Sequence, residues 1–385
     1  MWCIGLFYPV LLYRDFGFVS WPLFAIPNIC GAAFVPWLIK DAKSSEDFIR
    51  RHYFASQCFS FVTIVFQFYF MVWAFFSFGP TRSVILISIF ICIFLVVTVR
   101  KRIFTASFVS FIFSLFALLA ISKFGNETIF TIPRETDAGI KELSGLLPVF
   151  LIGFFFCPYL DLTFHRVIKE CHGSQTRLIF AIAFVVLFFS LLLLGIQYFP
   201  MAYHTFLGDN HPPYKFVQLA FYSYVIIQTG FTLIIHTHEL SKQKPPRFIW
   251  NLLALILICS FIYTIFAKSE VVLVGKSRHL REILYICILS FYGLIAPLYI
   301  WIFAILSRHE QKSSKAFFPQ WIILFIVTLA VLPLYFVGFF GNLTMIPYVL
   351  PIGVVLALVI PFITLRLLVF VDKNFQLQDT RKNNI

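Results

Sequence analysis

Long apolar runs separated by short connections constrain this chain more than any other feature. A helix needs about 20 apolar residues to cross the hydrocarbon core of a bilayer, and eleven runs of that kind follow one another. They are Phe16–Ile39, Tyr53–Gly79, Ser83–Val99, Ile103–Ser122, Leu143–Phe164, Leu178–Phe199, Phe216–Ile235, Phe248–Ala267, Ile283–Leu306, Phe318–Phe340 and Met345–Val371. The opening residues 1–15 are too short to cross alone, and we expect them to form a partial or interfacial segment.

Composition identifies lipid as the solvent of this fold. Hydrophobic residues make up 60% of the 385 residues and charged residues 12%, whereas a soluble domain carries about 25% charged residues. Backbone polar groups in lipid must be paired internally, as they are in a helix. We therefore predict an all-α fold, a polytopic integral membrane bundle of about 11 transmembrane helices. We expect a single domain over 1–385, ending in a cytoplasmic tail at 372–385.

Basic residues concentrate on alternate connections, which predicts the orientation of the bundle. Two thirds of the 30 Lys and Arg residues lie in one alternate set, and loops rich in these residues stay in the cytoplasm. The set comprises the connections 40–52, 100–102, 165–177, 237–247 and 307–317 and the tail from Arg366. The C-terminus is thus expected in the cytoplasm. The basic connection 268–282 departs from this rule.

The net charge of +13 is best explained by contacts with anionic lipid head groups in these short connections. We expect the lipid bilayer and a small solute as partners, and no nucleic acid. The short loops and the Phe- and Ile-rich composition are typical of a bacterial cytoplasmic membrane. The eight cysteines lie mostly inside apolar runs without a CxxC pair, and we interpret them as small hydrophobic residues.

The first full span contains three prolines and predicts a broken helix. Its sequence, FGFVSWPLFAIPNICGAAFVPWLI, places Asn28 beside Pro27 and four residues before Ala32. Carbonyl groups freed by proline need another partner at membrane depth, and broken helices form solute sites in many transporters. Pro27, Asn28 and Gly31 are therefore candidate substrate-binding residues. The alternative is a proline-kinked span with a small-residue packing face.

The run Leu143–Ile168 carries the deepest acid of the chain, Asp161, followed by His165 and Arg166. An ionisable residue within a span is a functional-site hypothesis by default. We predict that these three residues couple Na⁺ or H⁺ or gate the pathway. The alternative is structural, because residues 161 and 165 are four apart and would form a local pair on a continuing helix.

Two uncharged polar residues, Gln228 and Thr229, lie in the middle of the seventh run. They are further candidates for substrate binding, or they form hydrogen bonds between helices, as does Gln67 of the second run. The sequence HTHEL at 236–240 and the polar residues from His165 to His172 are typical of helix ends in water. We predict no catalytic residues, no metal site and no cofactor other than a coupling ion.

The segments FAIPNICGAA and CPYLDLTFHR resemble the broken helices of sodium/solute symporter-like permeases of the leucine-transporter fold. The resemblance implies a solute and ion site built from two discontinuous helices. Two features depart from that family. The sixth run, LIFAIAFVVLFFSLLLLGIQYF, is unbroken, and the charge rule gives the first full span the opposite direction. No residue role is carried over.

Three functions are compatible with these patterns. A secondary transporter (permease) that works by alternating access, with symport as one form, explains the broken spans and the lone acid. A membrane-embedded enzyme acting on a lipid or isoprenoid would use the cytoplasmic histidines. A structural or sensory protein needs no chemistry. The sequence contains neither GxxxxGK[ST] nor GxSxG. A midplane cavity lined by both the first and the fifth span would favour the transporter.

Overall fold

The structure is a computed structural model that describes residues 3–77, 103–125, 140–171, 173–199, 202–203, 215–267, 269–273, 276–307, 317–341 and 343–382. These residues form a helical bundle with one small β-hairpin. The predicted all-α helical class is therefore confirmed at the level of the bundle. The predicted span Ser83–Val99 lies outside the described residues.

Sixteen α-helices, numbered here in chain order, make up the described bundle. The first eight are α1 (Cys3–Phe16), α2 (Ser20–Leu38), α3 (Ala42–Arg51), α4 (Tyr53–Ser77), α5 (Ile103–Gly125), α6 (Ile140–Ser144), α7 (Leu147–Phe156) and α8 (Leu162–Glu170). The others are α9 (Ser174–Ala181), α10 (Phe189–Ile196), α11 (Lys215–Lys242), α12 (Arg247–Phe266), α13 (Leu280–Ser290), α14 (Ala296–Tyr299), α15 (Phe317–Phe340) and α16 (Ile346–Lys382).

Eight described segments are long and apolar enough to cross a membrane, as expected of a multi-pass membrane protein. Each overlaps one of the predicted runs, and α5 and α11 occupy two further predicted positions. The predicted total of eleven is not reached within the described ranges. The hydropathy of the runs therefore located the helices, while the full number of crossings stays a prediction.

The described connections between spans lie at two distinct ends of the bundle. We call one the basic end, because the connections 40–52, 165–177 and 237–247 lie there. We call the other the hairpin end. There, strands β1 (Glu270–Leu273) and β2 (Lys276–His279) pair antiparallel, with Val271 opposite Arg278. The connection that departed from the charge rule is thus a folded hairpin.

Helix α1 lies inside the bundle although it has only 14 residues. It packs against α2 and α4, and Phe7 is fully buried with its ring 4.8 Å from that of Trp73 and 5.4 Å from that of Tyr285. Edge-to-face aromatic pairs of this kind stabilise a core beyond simple burial. The outer helices α9, α10 and α12 instead expose large apolar side chains, as lipid-facing helices do.

Two short polar helices, α3 and α8, pack against each other at the basic end. Asp41 begins α3 with a capping box, in which its Oδ1 accepts from the Ser44 backbone at 2.7 Å. Helix α8 begins at Asp161, whose side chain caps it by accepting from the Thr163 backbone. Above this pair, α2 packs against α7. Each of the packed helices α2 and α7 is thus followed by a short helix at the basic end.

Two of the described spans contain three π-helical segments, in which each turn of the helix is wider than in an α-helix. One segment, Ile182–Phe188, joins α9 to α10. The other two, Phe291–Ile295 and Ile300–Leu306, flank α14. The sixth apolar run therefore continues as a helix, as expected, but its middle is irregular. The run contains no proline, and its one glycine, Gly195, lies in α10 after the π segment, so neither residue type indicated the irregularity.

Candidate functional site

A cavity of about 680 Å³ lies within the bundle. Its walls come from α1, α2, α4, α5, α7, α8, α9, α10, α11, α13 and α15, from the turn Cys157–Leu160 and from the π-helical segments beside α9 and α13. Asn28 and Ala32 of the first full span and Gly153 and Phe154 of the fifth run both contribute to the wall. A volume of this order accommodates a small organic molecule. The first full span and the fifth run therefore share the wall of one cavity.

Phenylalanine dominates the wall, with ten of the lining residues being Phe. The polar lining side chains include Asn28, Gln228, Thr232 and His236. Asp161 is the one Asp or Glu among the lining residues, which include no Lys or Arg. A mostly apolar wall with few polar groups is the usual composition of a small-molecule site.

Asp161 lies at the break between two helical segments rather than within a helix. A short 3₁₀ turn, Cys157–Leu160, follows α7, and the backbone at Asp161 is extended (φ −76°, ψ 107°) before α8 begins. Its Oδ1 accepts from the Thr163 backbone N–H at 2.8 Å and from the Thr163 hydroxyl at 2.8 Å. The positive end of the α8 dipole also stabilises an anion there.

The second oxygen of this carboxylate, Oδ2, is buried, and no described residue donates a hydrogen bond to it. The side chain of Asp161 is fully buried even though it belongs to the cavity wall. The carboxylate therefore borders the cavity from a buried position, with Oδ1 hydrogen-bonded and Oδ2 without a described donor. A buried polar atom without a partner is costly, and such atoms are typical of ion and ligand sites.

His165 does not pair with Asp161, so the local pair that we considered is wrong. Its Nε2 lies 2.8 Å from the carbonyl oxygen of Tyr159, and its Nδ1 lies 2.9 Å from the hydroxyl of Ser45. A carbonyl oxygen only accepts, so Nε2 carries the hydrogen and Nδ1 accepts from the hydroxyl. Asp161 instead caps α8, because the helix does not continue through it.

The neutral state of His165 agrees with its surroundings. The imidazole is fully buried at the contact of α3 with α8, and it stacks on Phe48 with ring centroids 5.2 Å apart. Burial lowers the pKa of His165 to about 4. We expected a polar helix end in water at this position. The structure places the histidine inside, as a hydrogen-bonded link between two short helices.

Arg166 also has no contact with Asp161 in the described structure. Its Nε donates to Glu170 at 2.8 Å, and its Nη1 donates to Glu239 at 3.4 Å. Glu239 further accepts from His238 and Lys242, at 3.0 Å each. We call these five residues the basic-end cluster. It connects α8 to α11 beside the cavity, so Arg166 belongs to a charge network and not to the acid at the break.

The HTHEL sequence is also less exposed than expected. His236 is 1% exposed and lines the cavity, with its Nδ1 3.4 Å from the hydroxyl of Ser60. Glu239 is 6% exposed. The interpretation as a helix end in water is therefore wrong for these two side chains, because α11 extends to Lys242 and only its last turn leaves the bundle.

The three candidates of the first full span have different surroundings. Asn28 lines the cavity. Pro27 is buried within α2, and the helix continues through it to Leu38, so the predicted break in this span is wrong. Gly31 lies against α7 so closely that a Cβ there would overlap the carbonyl of Phe154. Glycine at this position permits backbone contact between the helices. The structure thus brings Asn28 to the cavity and gives Gly31 a packing role.

The two candidates of α11 are also separated. Gln228 lines the cavity, and its Nε2 donates to Ser114 and, at 3.3 Å, to Ser110 of α5. Thr229 is fully buried and accepts from Gln67 of α4 at 3.1 Å. The second contact connects two packed helices. Gln228 therefore lies at the wall, while Thr229 supports the helix interface.

Sequence reasoning missed a group of four buried charges at the hairpin end. Arg14 donates to Asp15 at 2.9 Å and to Glu282 at 2.9 Å, and Arg278 pairs with Glu282 and lies 3.8 Å from Asp15. We call these four residues the hairpin-end cluster. All are at most 7% exposed. The spacing of Arg278 and Glu282, four apart, was the one signal available.

Within the described residues, no group of three or more His, Cys, Asp or Glu side chains is arranged to hold a metal ion. His172 lies outside those residues. Searches with protein-family models, among curated proteins and among solved structures find no match to this chain.

Proposed function

We propose that the chain is a secondary transporter that moves a small solute by alternating access, with Asp161 as the site of a coupling cation, H⁺ or Na⁺. The cavity carries this proposal, because the first full span and the interrupted fifth span both line it together with the buried acid. Solute sites at the junction of interrupted helices are a recurring design of transporters. The resemblance to symporter-like permeases is compatible with it.

The charge clusters support a particular conformation for this transporter. The hairpin-end cluster joins α1 to α13 through buried ion pairs. Exposed cavity-lining residues, such as Phe108 and Ile179, lie within the first turns of α5 and α9 at the basic end. With the basic end in the cytoplasm, the cavity is closed to the outside and opens laterally in the cytoplasmic half of the bundle. The other half of the cycle requires the hairpin-end cluster to separate.

Asp161 has the properties that a coupling site needs. Its Oδ1 is occupied by Thr163, so Oδ2 offers one position for a monovalent cation. An uncompensated carboxylate is unfavourable in a buried site, so a bound cation changes the energy of the closed state. A lipid-modifying enzyme receives less support, because His165 and His52 make structural hydrogen bonds and are held neutral.

The test measures access to Asn28 from each side of the membrane. Asn28→Cys is introduced into a variant lacking the eight native cysteines, and its reaction with an impermeant maleimide is followed in vesicles of both orientations. We expect labelling from one side at a time, with the reactive side changing when the pH or Na⁺ concentration changes. Asp161→Asn should abolish that change while labelling itself persists.

Two results would contradict the proposal. One is labelling from both sides under the same condition, which indicates a channel. The other is labelling that never changes side in any ionic condition. An unchanged response in Asp161→Asn removes the assigned role of that residue, and Glu170→Gln, which removes an exposed acid of α8, serves as the matched control.

A further inference from the structure

The electrostatics of the cavity restrict the charge of its ligand. Among the described residues that line it, Asp161 is the one acid and none is Lys or Arg. An anionic ligand would therefore find no partner there, and the carboxylate of a zwitterion would also remain unpaired. Burying an unpaired charge costs several kcal/mol. Of the charged ligands, a cation is the one whose charge this wall can neutralise.

The phenylalanines of the wall restrict the body of the ligand. They surround the volume from several helices, with Phe59 on α4, Phe111 on α5 and Phe231 on α11. Burial against them favours an apolar or aromatic body. Aromatic faces also attract a cation directly. The combination of one carboxylate and many aromatic rings suits an organic cation with a lipophilic body.

The cavity has a side wall that reaches the lipid-facing surface. Phe108 of α5 is 61% exposed, and Ile179 of α9 and Leu187 of the adjoining π segment are 41% and 38% exposed, yet all three line the cavity. Helix α5 packs against α10 more extensively than against α9 or the π segment. The helices therefore diverge toward the basic end, and a gap bordered by apolar side chains lies between them.

We propose, on the basis of the transport function above, that the solute is a lipophilic organic cation that enters from the membrane through this gap and displaces a proton from Asp161. The cavity joins the gap at the lipid surface to the single carboxylate at the α7–α8 break. An amphipathic molecule concentrates in the bilayer before binding, so its supply comes from the lipid phase.

The exchange conserves charge at the site. In one state Asp161 is protonated at Oδ2, and in the other it is ionised and paired with the ammonium group of the solute. Binding of the cation breaks the O–H bond, and the proton leaves to water. Because Oδ1 is bound by Thr163, one cation occupies the carboxylate at a time. Cation and proton therefore compete, which makes the coupling an antiport.

The equilibrium test uses dansylcadaverine, a primary amine with an aromatic body, and its neutral N-acetyl derivative. Binding to the full chain in lipid nanodiscs is followed by the rise in dansyl fluorescence. We expect the amine to bind at least tenfold more tightly than the acetylated probe, and to bind more weakly as the pH falls. Asp161→Asn should weaken the amine at least tenfold, while Glu170→Gln changes its affinity less than twofold.

Equal binding of the two probes, or binding of the amine that does not respond to pH, would overturn the proposal. If Asp161→Asn fails to fold, the pH dependence of amine binding to the wild type still tests the proposal. The assay needs no transport. Binding without alternating labelling of Asn28→Cys would refute the proposed function alone, and alternating labelling without amine binding would refute this inference alone.

The entry route is tested by two matched substitutions in the π segment. Leu187 lines the gap, whereas Val185 is 51% exposed but is not among the lining residues. We expect Leu187→Trp to slow association of dansylcadaverine at least fivefold in stopped-flow measurements, and Val185→Trp to change it less than twofold. Equal association rates in both variants would refute entry through the gap.

Discussion

The two charge clusters of this protein differ in how far water reaches them. In the hairpin-end cluster the four side chains are 2–10% exposed and are paired among themselves. In the basic-end cluster Glu239 is buried, but the side chains of Lys242 and Glu170 are 48% and 58% exposed. Buried charges have no substitute for a lost partner, whereas exposed charges regain water. Loss of a charged side chain should therefore destabilise the protein more at the hairpin end than at the basic end.

Arg14→Met should give the largest effect, because it removes a guanidinium shared by two buried carboxylates. Breaking one partner of a buried ion network costs about 3–5 kcal/mol. We expect a clear fall in the thermal unfolding midpoint of the purified protein. The control is Arg50→Ala, whose side chain is 78% exposed beside Asp47 and whose loss should cost less than about 0.5 kcal/mol. Equal unfolding midpoints for Arg14→Met and Arg50→Ala would refute the expected difference between a buried and an exposed arginine.

An intermediate effect is expected from pH at the basic end. Burial lowers the pKa of His165 and of His52 to about 4, and neighbouring Lys169 and Arg51 act in the same direction. The unfolded state, with a histidine pKa of about 6.5, then binds more protons at intermediate pH. Stability is complete above pH 6.5 and falls between pH 6.5 and 4.

For each of these two histidines, the free energy of unfolding should fall by about 2 kcal/mol between pH 6.5 and pH 5. The measurement is the unfolding midpoint as a function of pH, in the wild type and in His165→Gln. The variant should lose less stability over this range, since one linked group is gone. A wild-type midpoint that stays constant from pH 6.5 to 5 would show that neither imidazole is held neutral.

The smallest effect is expected for Arg166→Ala. Its guanidinium is 21% exposed, and Glu239 keeps Lys242 and His238 as partners when it is lost. We expect a cost of about 1 kcal/mol or less, decreasing further in 0.5 M NaCl because salt screens exposed pairs. The loss of stability in Arg14→Met should persist at the same salt concentration. A salt effect of equal size in both variants would contradict the comparison.

The positions of the helices followed from hydropathy, since a run of apolar residues has few alternatives to a membrane helix. The importance of Asp161 also followed from its depth in an apolar run. The hydrogen-bond partner of the Asp161 side chain did not follow from the sequence, because the helix ends at Leu160 and restarts after Asp161. A spacing of four residues predicts contact only on a helix that continues.

The hairpin-end cluster was beyond sequence reasoning for a different reason. Arg14 and Glu282 are 268 residues apart, and nothing local to either indicates the other. Arg14 and Arg278 appear in the sequence as loop charges that weaken the charge rule. Their burial depends on how α1 and α13 meet in space. The cavity, likewise, is a property of several packed helices and not of any single run.

The contact at Gly31 has a mechanical consequence. With no side chain between them, α2 and α7 meet backbone to backbone, and below them α3 and α8 are joined by the Ser45–His165 hydrogen bond. The two upper helices and the two lower helices each form a unit, connected by non-helical joints at 39–41 and at Asp161. A rotation at Asp161 that keeps the Ser45–His165 contact therefore moves α3 together with α8, so the two joints have to bend as one double hinge.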